Sequence, residues 1–206
     1  MGSIPDNLQA VKSRIDVASR ASGRDPRTVR LLAVSKTHPP ERVREAYAAG
    51  QRAFGENYVQ EALDKMAALA DLALEWHLVG PLQSNKTRVV AERFDWVHTV
   101  DRERIARRLD AQRPHFAKPL NVLIQLNLDG EPQKAGVPAA EVPALAELIA
   151  SLPRLALRGL MTIPPAGNVW SPGATFLYSR SSVYAVLPVV WRNTSLTRNS
   201  RSVRVV

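Results

Sequence analysis

Short apolar runs alternate along the chain with longer segments in which apolar residues recur every three or four positions. The first such segment, Leu8 to Ala18, predicts a helix that ends at Gly23. The apolar runs predict six strands, at residues 29–35, 53–55, 76–80, 96–100, 120–128 and 155–161. The intervening segments predict helices at 41–49, 57–72, 85–93, after Asp101 as an N-cap, and at 141–151. Strands that alternate with helices through short connections indicate an α/β fold with a parallel sheet.

The alternation alone fits either a barrel or an open doubly wound sheet. No glycine-rich phosphate loop follows the first strand, which favours a TIM barrel of the (β/α)8 type. Only about six βα units precede Pro164, so we expect this barrel to be incomplete and to occupy residues 1–164.

The pattern changes after Pro164. Residues 165–206 contain five arginines and no lysine, aspartate, glutamate or histidine, and they show no helical periodicity. We expect a poorly ordered basic tail in which Val183–Trp191 is a possible strand. A flexible tail with its own function and the product of a shifted reading frame are the two explanations, and the second is favoured.

The net charge of +9 and the pI near 10.5 suggest a nucleic-acid partner, but the charge is unevenly distributed. Residues 1–164 carry 23 basic and all 19 acidic residues, a net charge of only +4. We therefore expect no nucleic-acid partner. The chain has no cysteine, no secretory signal and no apolar stretch near the ~20 residues of a membrane span, so a soluble cytoplasmic protein is predicted.

Lys36 is the strongest candidate for chemistry, because it stands at the end of a predicted buried strand. Desolvation there disfavours the ammonium form and makes the amine more nucleophilic towards an aldehyde. The alternative is a lysine that extends from the barrel mouth into water. Asn57 is a candidate binding residue or a helix cap, and His77 a candidate ligand or an ordinary core residue. No histidine or carboxylate stands at metal-ligand spacing from His77, so no metal site is predicted.

Six segments, in order and at matching spacing, resemble the YggS/PROSC family of pyridoxal phosphate homeostasis proteins. The resemblance covers the chain from about Leu8 to Pro164. The segments are LLAVSKT (31–37), FGENYVQE (54–61), EWHLVGPLQSNK (75–86), FDWVHTVD (94–101), NVLIQLN (121–127) and RGLMTIP (158–164).

The resemblance implies a barrel like the N-terminal domain of alanine racemase, with pyridoxal 5′-phosphate (PLP) at its carboxyl-terminal mouth. Lys36 matches the lysine that forms the Schiff base, and Asn57, His77 and Met161 match positions that line the cofactor pocket. It further implies a monomeric, non-catalytic PLP carrier or regulator of vitamin B6 that serves PLP-dependent client enzymes. The alternative is a PLP-dependent enzyme of the amino-acid racemase type, which needs a second acid–base group and, in alanine racemase, an additional domain.

The chain departs from the family after Pro164. The family's Ser-x-Gly-Met-Ser and Val-Arg-x-Gly segments, which hold the phosphate, do not occur in residues 165–206. We therefore expect weak PLP binding that discriminates little against pyridoxal.

Overall fold

The computed structural model describes residues 3–127 and 135–162, and the backbone of residues 183–185. Helices in this part of the chain are α1 Ile4–Ala21, α2 Pro40–Ala48, α3 Val59–Ala68, α4 Thr87–Arg93, α5 Glu103–Gln112 and α6 Val142–Ala150. Its strands are β1 Leu31–Val34, β2 Ala53–Glu56, β3 Glu75–Leu78, β4 Trp96–Val100, β5 Leu120–Gln125, β6 Leu155–Met161 and β7 Val183–Ala185.

The helix boundaries follow from local chemistry at several points. Ser3 and Asp6 form a capping box at the start of α1, and Pro40 occupies the first turn of α2. Gly50 follows α2 with φ 90°, a left-handed conformation that suits glycine at a helix end. The prediction that Asp101 caps α5 is wrong, because Arg102 occupies the N-cap and the Asp101 carboxylate accepts a hydrogen bond from its guanidinium.

The strand order separates the two folds that the sequence left open. The order is β6-β5-β4-β3-β2-β1-β7, and β1 to β6 all pair in parallel with their sequence neighbours. A doubly wound sheet reverses its strand order at a switch point, whereas a barrel proceeds strand by strand in one direction. The structure therefore confirms a barrel-type sheet of six βα units that is incomplete within the described residues.

β7 lies on the free edge of β1 and runs antiparallel to it, with Val183 opposite Ala33 and Ala185 opposite Leu31. In a complete barrel the eighth strand pairs in parallel with the first. The predicted strand at 183–191 is thus confirmed for its first three residues. The expected disorder of the rest of residues 165–206 lies outside the described residues.

The two faces of the sheet are filled differently. Phe54, Trp76 and Leu78 point towards the helices and belong to the main core, where the rings of Phe54 and Trp76 stand 6.2 Å apart. Leu32, Ala53 and Val79 form a second apolar cluster on the inner face. Because side chains alternate along a strand, this division fixes which residues point into the barrel.

Candidate functional site

Lys36 and Asn57 follow the carboxyl ends of two neighbouring strands. Ala33 pairs with Phe54 and Val34 with Gly55, so continuing the register brings Lys36 level with Asn57. Leu32 and Val34 surround the inner face of Gly55, whereas Ser35 contacts α3 on the outer face. Both residues therefore stand at the carboxyl-terminal edge of the sheet, Asn57 directly after β2 and Lys36 in the turn that follows β1. Lys36 is half-buried and forms no hydrogen bond or ion pair among the described residues.

The residue after Lys36 has an unusual backbone conformation. Thr37 has φ 63°, in the left-handed region that β-branched residues avoid. Its N–H donates to Oε1 of Glu61, in the first turn of α3, over 2.6 Å. Strained conformations of this kind persist only where surrounding contacts hold them. Two contacts hold this turn: the Glu61 carboxylate, and the backbone hydrogen bond that the His38 N–H donates to the Ser35 carbonyl oxygen over 3.1 Å.

A buried lysine connects α3 to the same turn. Nζ of Lys65 donates to the Ser35 carbonyl oxygen over 2.6 Å, to Glu61 Oε1 over 2.7 Å and to Glu56 Oε1 over 2.8 Å. The Ser35 hydroxyl donates to the same Glu56 oxygen over 2.5 Å. Ser35, Glu56, Glu61 and Lys65 are called the Lys65 network below. All three ammonium donors of Lys65 are used, as a buried charge requires.

The two carboxylates of the Lys65 network differ in their surroundings. Burial raises the pKa of Glu56, against the opposing effect of its hydrogen bonds from Lys65 and Ser35. Burial acts in the same direction on Glu61, but the hydrogen bonds from Lys65 and from the Thr37 backbone outweigh it and lower the pKa of Glu61. Glu61 is therefore the more secure negative charge beside the turn that carries Lys36.

Asn57 does not cap α3, so the helix-cap alternative is wrong; Tyr58 occupies the N-cap without a side-chain hydrogen bond. Oδ1 of Asn57 is buried and has no hydrogen-bond partner in the described part of the chain. The strand end at Gly80 passes very close by, because a Cβ on Gly80 would lie 2.1 Å from the Asn57 carbonyl oxygen. Only glycine can be accommodated at position 80. The Gly80 backbone therefore packs directly against the Asn57 backbone.

His77 lies on the inner face in β3 and contacts three polar or aromatic neighbours. Its Nε2 is 2.6 Å from Glu75 Oε1, and its Nδ1 is 2.9 Å from Nε2 of His98. The Trp96 ring stacks on His77 with centroids 5.3 Å apart. Glu75, His77, Trp96 and His98 are called the histidine layer below. A carboxylate only accepts, so Nε2 of His77 carries the proton of this neutral ring, and Nδ1 accepts a hydrogen bond from the Nε2–H of His98. Both ring nitrogens are thus occupied and Trp96 covers one face of the ring, so only the opposite face of the His77 ring is left for a ligand.

Burial keeps both imidazoles of the histidine layer uncharged. It lowers the pKa of His77, although the Glu75 carboxylate opposes the shift. Burial, together with the neighbouring His77, lowers the pKa of His98 to about 3. Glu75 is partly exposed; the hydrogen bond from His77 lowers the pKa of its carboxyl group, and Arg30 pairs with it over 2.8 Å.

Met161 is the last residue of β6 and is buried opposite Gln125 of β5. The adjacent Thr162 has a buried hydroxyl with no hydrogen-bond partner among the described residues. Lys36, Asn57 and Met161 therefore all stand at carboxyl ends of strands, the edge where barrel proteins place their sites. His77 is level with Gly55, two positions below Asn57 in the sheet register.

The Lys65 network and the contact between His77 and His98 are not predicted by the sequence pattern. Glu61 and Lys65 stand four residues apart on one predicted helix, a spacing that brings them to the same helix face. That signal was available, but their connection to the Lys36 turn depends on how α3 packs. His98 showed no partner pattern in the sequence, because strand pairing across 21 residues brings it to His77.

Two further properties concern the described residues only. They include no group of three or more metal-ligating side chains that could hold a metal ion. None of their helices combines the length and apolarity needed to cross a membrane.

Comparisons with known proteins give the class first. Residues 7–172 match the family described as alanine racemase, N-terminal domain. The alanine racemase of Corynebacterium glutamicum, at 19% identity and a TM-score of 0.52 over 75% of this chain and 43% of its own, shares the fold. The barrel-type sheet is thus that of an alanine racemase N-terminal domain.

More similar relatives define the family more narrowly. A pyridoxal phosphate homeostasis protein of Pseudomonas aeruginosa is 59% identical over 80% of this chain and 71% of its own length. PipY of Synechococcus elongatus, in its structure with PLP bound, is 42% identical and has a TM-score of 0.69 over 81% of this chain and 73% of its own. The chain belongs to the family of pyridoxal phosphate homeostasis proteins.

Proposed function

We propose that this chain binds PLP at the carboxyl ends of its strands and takes part in PLP homeostasis, with Lys36 as the covalent attachment point. The observation that carries the proposal is the half-buried amine of Lys36, which has no partner among the described residues and emerges at the barrel mouth. A relative whose structure contains PLP supports the choice of ligand.

The residues present fit such a ligand. Asn57 and Thr162 each follow the end of a strand, and each has a buried side-chain oxygen without a partner among the described residues. PLP supplies an aldehyde. Nζ of Lys36 bonds to the aldehyde carbon, and the aldehyde oxygen leaves as water with the two amine protons, without oxidation or reduction. Asn57, the ring surface of His77 and Met161 are the proposed lining of the pocket.

A carrier is favoured over a catalyst. An enzyme of the racemase type needs a second acid–base group opposite the lysine. His77 is a poor candidate, because burial disfavours its charged form and both of its ring nitrogens are occupied. The relatives' naming as homeostasis proteins supports the carrier role. Several statements remain predictions. They are the transfer of PLP to client enzymes, a monomeric state, a cytoplasmic location, a lack of nucleic-acid partners, and the division of the chain into a 1–164 barrel and a 165–206 tail.

Borohydride trapping tests the attachment point. Protein incubated with PLP is expected to develop a visible absorbance band, and peptide mapping after reduction should place the label on Lys36. The Lys36→Ala variant should lose this label. Lys12→Ala is the matched control, since Lys12 is also half-buried but lies in α1. Label spread evenly over several lysines would show that Lys36 is not the site.

A second titration tests the missing phosphate segments. Because residues 165–206 lack the family's phosphate-binding sequences, we expect PLP and unphosphorylated pyridoxal to bind with similar affinity. Replacing residues 165–206 with a complete family C-terminus should restore a preference for PLP. A strong preference in the chain as it stands would instead indicate a phosphate site, for which Arg180, Arg192 and Arg204 are the first candidates.

A further inference from the structure

We propose that Glu61 and Lys65 are positioning residues that hold the backbone on both sides of Lys36 and so aim its amine into the barrel mouth. This inference rests on the proposed function, because it assigns a role to groups that act through Lys36.

The two hydrogen bonds from α3 reach the two peptide groups that flank Lys36. The Ser35 carbonyl belongs to the peptide bond that enters Lys36, and it accepts from Lys65 Nζ over 2.6 Å. The Thr37 N–H belongs to the peptide bond that leaves Lys36, and it donates to Glu61 over 2.6 Å. With both peptide groups held, the direction of the Cα–Cβ bond of Lys36 is fixed while its side chain stays free.

The turn needs this support because of its conformation. A threonine at φ 63° is disfavoured, so the segment after Ser35 would relax into another conformation without a compensating contact. The His38 N–H closes the turn onto the Ser35 carbonyl oxygen over 3.1 Å, and Glu61 adds a contact to Thr37 itself through an ionised oxygen, to which Lys65 also donates over 2.7 Å. Charged acceptors form stronger hydrogen bonds than neutral ones. The i, i+4 spacing on α3 lets one rigid helix apply both contacts.

A general stabilising role alone does not explain this arrangement. A buried ion pair can often be replaced by apolar residues with no loss of stability. Stability alone therefore does not explain why the charged side chains of Lys65 and Glu56 occupy the space between β2 and α3. Lys65 contacts the Ser35 carbonyl oxygen beside Lys36, and Glu56 contacts Lys65 and the Ser35 hydroxyl. Positioning of a reactive group accounts for charged residues at this place.

The Glu61→Ala variant tests the proposal with PLP as the probe. It should weaken PLP binding at Lys36, measured by the absorbance titration, by roughly ten- to a hundredfold, the effect of losing one hydrogen bond to a charged acceptor. Borohydride label should shift from Lys36 towards other lysines. Glu61→Gln keeps an oxygen that accepts from Thr37, so it should recover part of the affinity and most of the selectivity for Lys36.

Glu103→Ala is the matched control. Glu103 also lies in the first turn of a helix and pairs with a basic residue four positions later, Arg107, over 2.6 Å. It is expected to leave PLP binding unchanged. Thermal unfolding of each variant measures how much stability it loses. If Glu61→Ala does not fold, the Glu61→Gln variant tests the proposal, because it is expected to show a smaller but measurable loss of PLP affinity.

The outcomes separate this inference from the proposed function. If the wild-type protein carries no label on Lys36, the proposed function and this inference are both overturned. If wild type labels at Lys36 and Glu61→Ala labels equally well with equal affinity, only the positioning role is overturned. Equal losses in Glu61→Ala and Glu103→Ala would also overturn it, since they would reflect helix stability alone.

Discussion

The Lys65 network and the histidine layer are both buried polar clusters in one sheet, but they differ in charge. The Lys65 network contains buried charged groups, whereas the two imidazoles of the histidine layer are uncharged. In the Lys65 network an ammonium group at 3% exposure is surrounded by three oxygens. In the histidine layer burial keeps the two imidazoles uncharged, and the one carboxylate lies at the partly exposed edge beside Arg30. Removing a group therefore has different consequences in the two places.

The difference matches position in the barrel. The histidine layer fills the interior between β3 and β4, where stacked rings pack like apolar side chains and need few hydrogen bonds. The Lys65 network stands where strands end and a turn begins, and backbone groups there lack sheet partners. Charged side chains satisfy those groups and fix the turn. The variants below test this contrast, from the largest expected effect to the smallest.

Lys65→Met should cause the largest loss of stability. It leaves the Glu56 and Glu61 carboxylates without their shared partner, and breaking a buried pair from one side costs about 3–5 kcal/mol. Chemical denaturation measures the free energy of unfolding. Lys86→Met, at an exposed lysine, is the control. A loss below about 1 kcal/mol, the range of surface pairs, would show that the network is not a buried charge cluster.

Gly80→Ala tests the close approach of the β3 end to Asn57. The new Cβ would lie 2.1 Å from the Asn57 carbonyl oxygen, so backbone must move, at a cost of about 1–3 kcal/mol or more. Gly55→Ala is the matched control, because a Cβ there meets only side chains at 3.4 Å and beyond. Equal effects at the two glycines would contradict the contact, and a selective loss of PLP binding in Gly80→Ala would connect it to the site.

His98→Gln tests the uncharged state of the histidine layer through pH. The pKa of His98 is about 3 in the folded protein and near 6.5 when exposed, so above pH 6.5 both states are neutral. Below that pH the unfolded chain binds the proton first, and stability falls by about 1.4 kcal/mol per pH unit towards pH 3.

The glutamine amide can still donate to His77 but does not titrate, so this part of the slope should disappear in His98→Gln. Unfolding measured between pH 4 and 7 provides the comparison with wild type. His115→Gln, at an exposed histidine, should keep the wild-type slope. An unchanged slope in His98→Gln would mean that His98 is not held neutral by burial.

Arg30→Gln is expected to have the smallest effect. Arg30 pairs with Glu75 over 2.8 Å, but its side chain is 59% exposed, and such pairs contribute about 0–1 kcal/mol. Arg44→Gln, in the exposed pair with Asp71, is the control and should lose about as much. A much larger loss for Arg30→Gln would show that the guanidinium keeps Glu75 aligned with His77, and that the histidine layer depends on charge after all.

The sequence by itself determined the order of the elements and the place of Lys36. The run at residues 29–35 is short and apolar on both alternating faces, as a strand buried between helices and a barrel interior must be, and the sequence pattern indicates this directly. Lys36 stands out because it ends a predicted buried strand, the position at which barrel enzymes place their working groups. The motifs around it were specific enough to indicate the family.

Only the tertiary structure decided what surrounds that lysine. The open choice between a barrel and a doubly wound sheet was settled by strand order, which depends on pairing between distant segments. Glu61 reaches Thr37 across 24 positions, and His98 reaches His77 across 21, because helix packing and strand register bring them together. The local sequence pattern does not predict such contacts, because the neighbours of a side chain in a barrel come from other strands and from the helices packed on the outer face of the sheet.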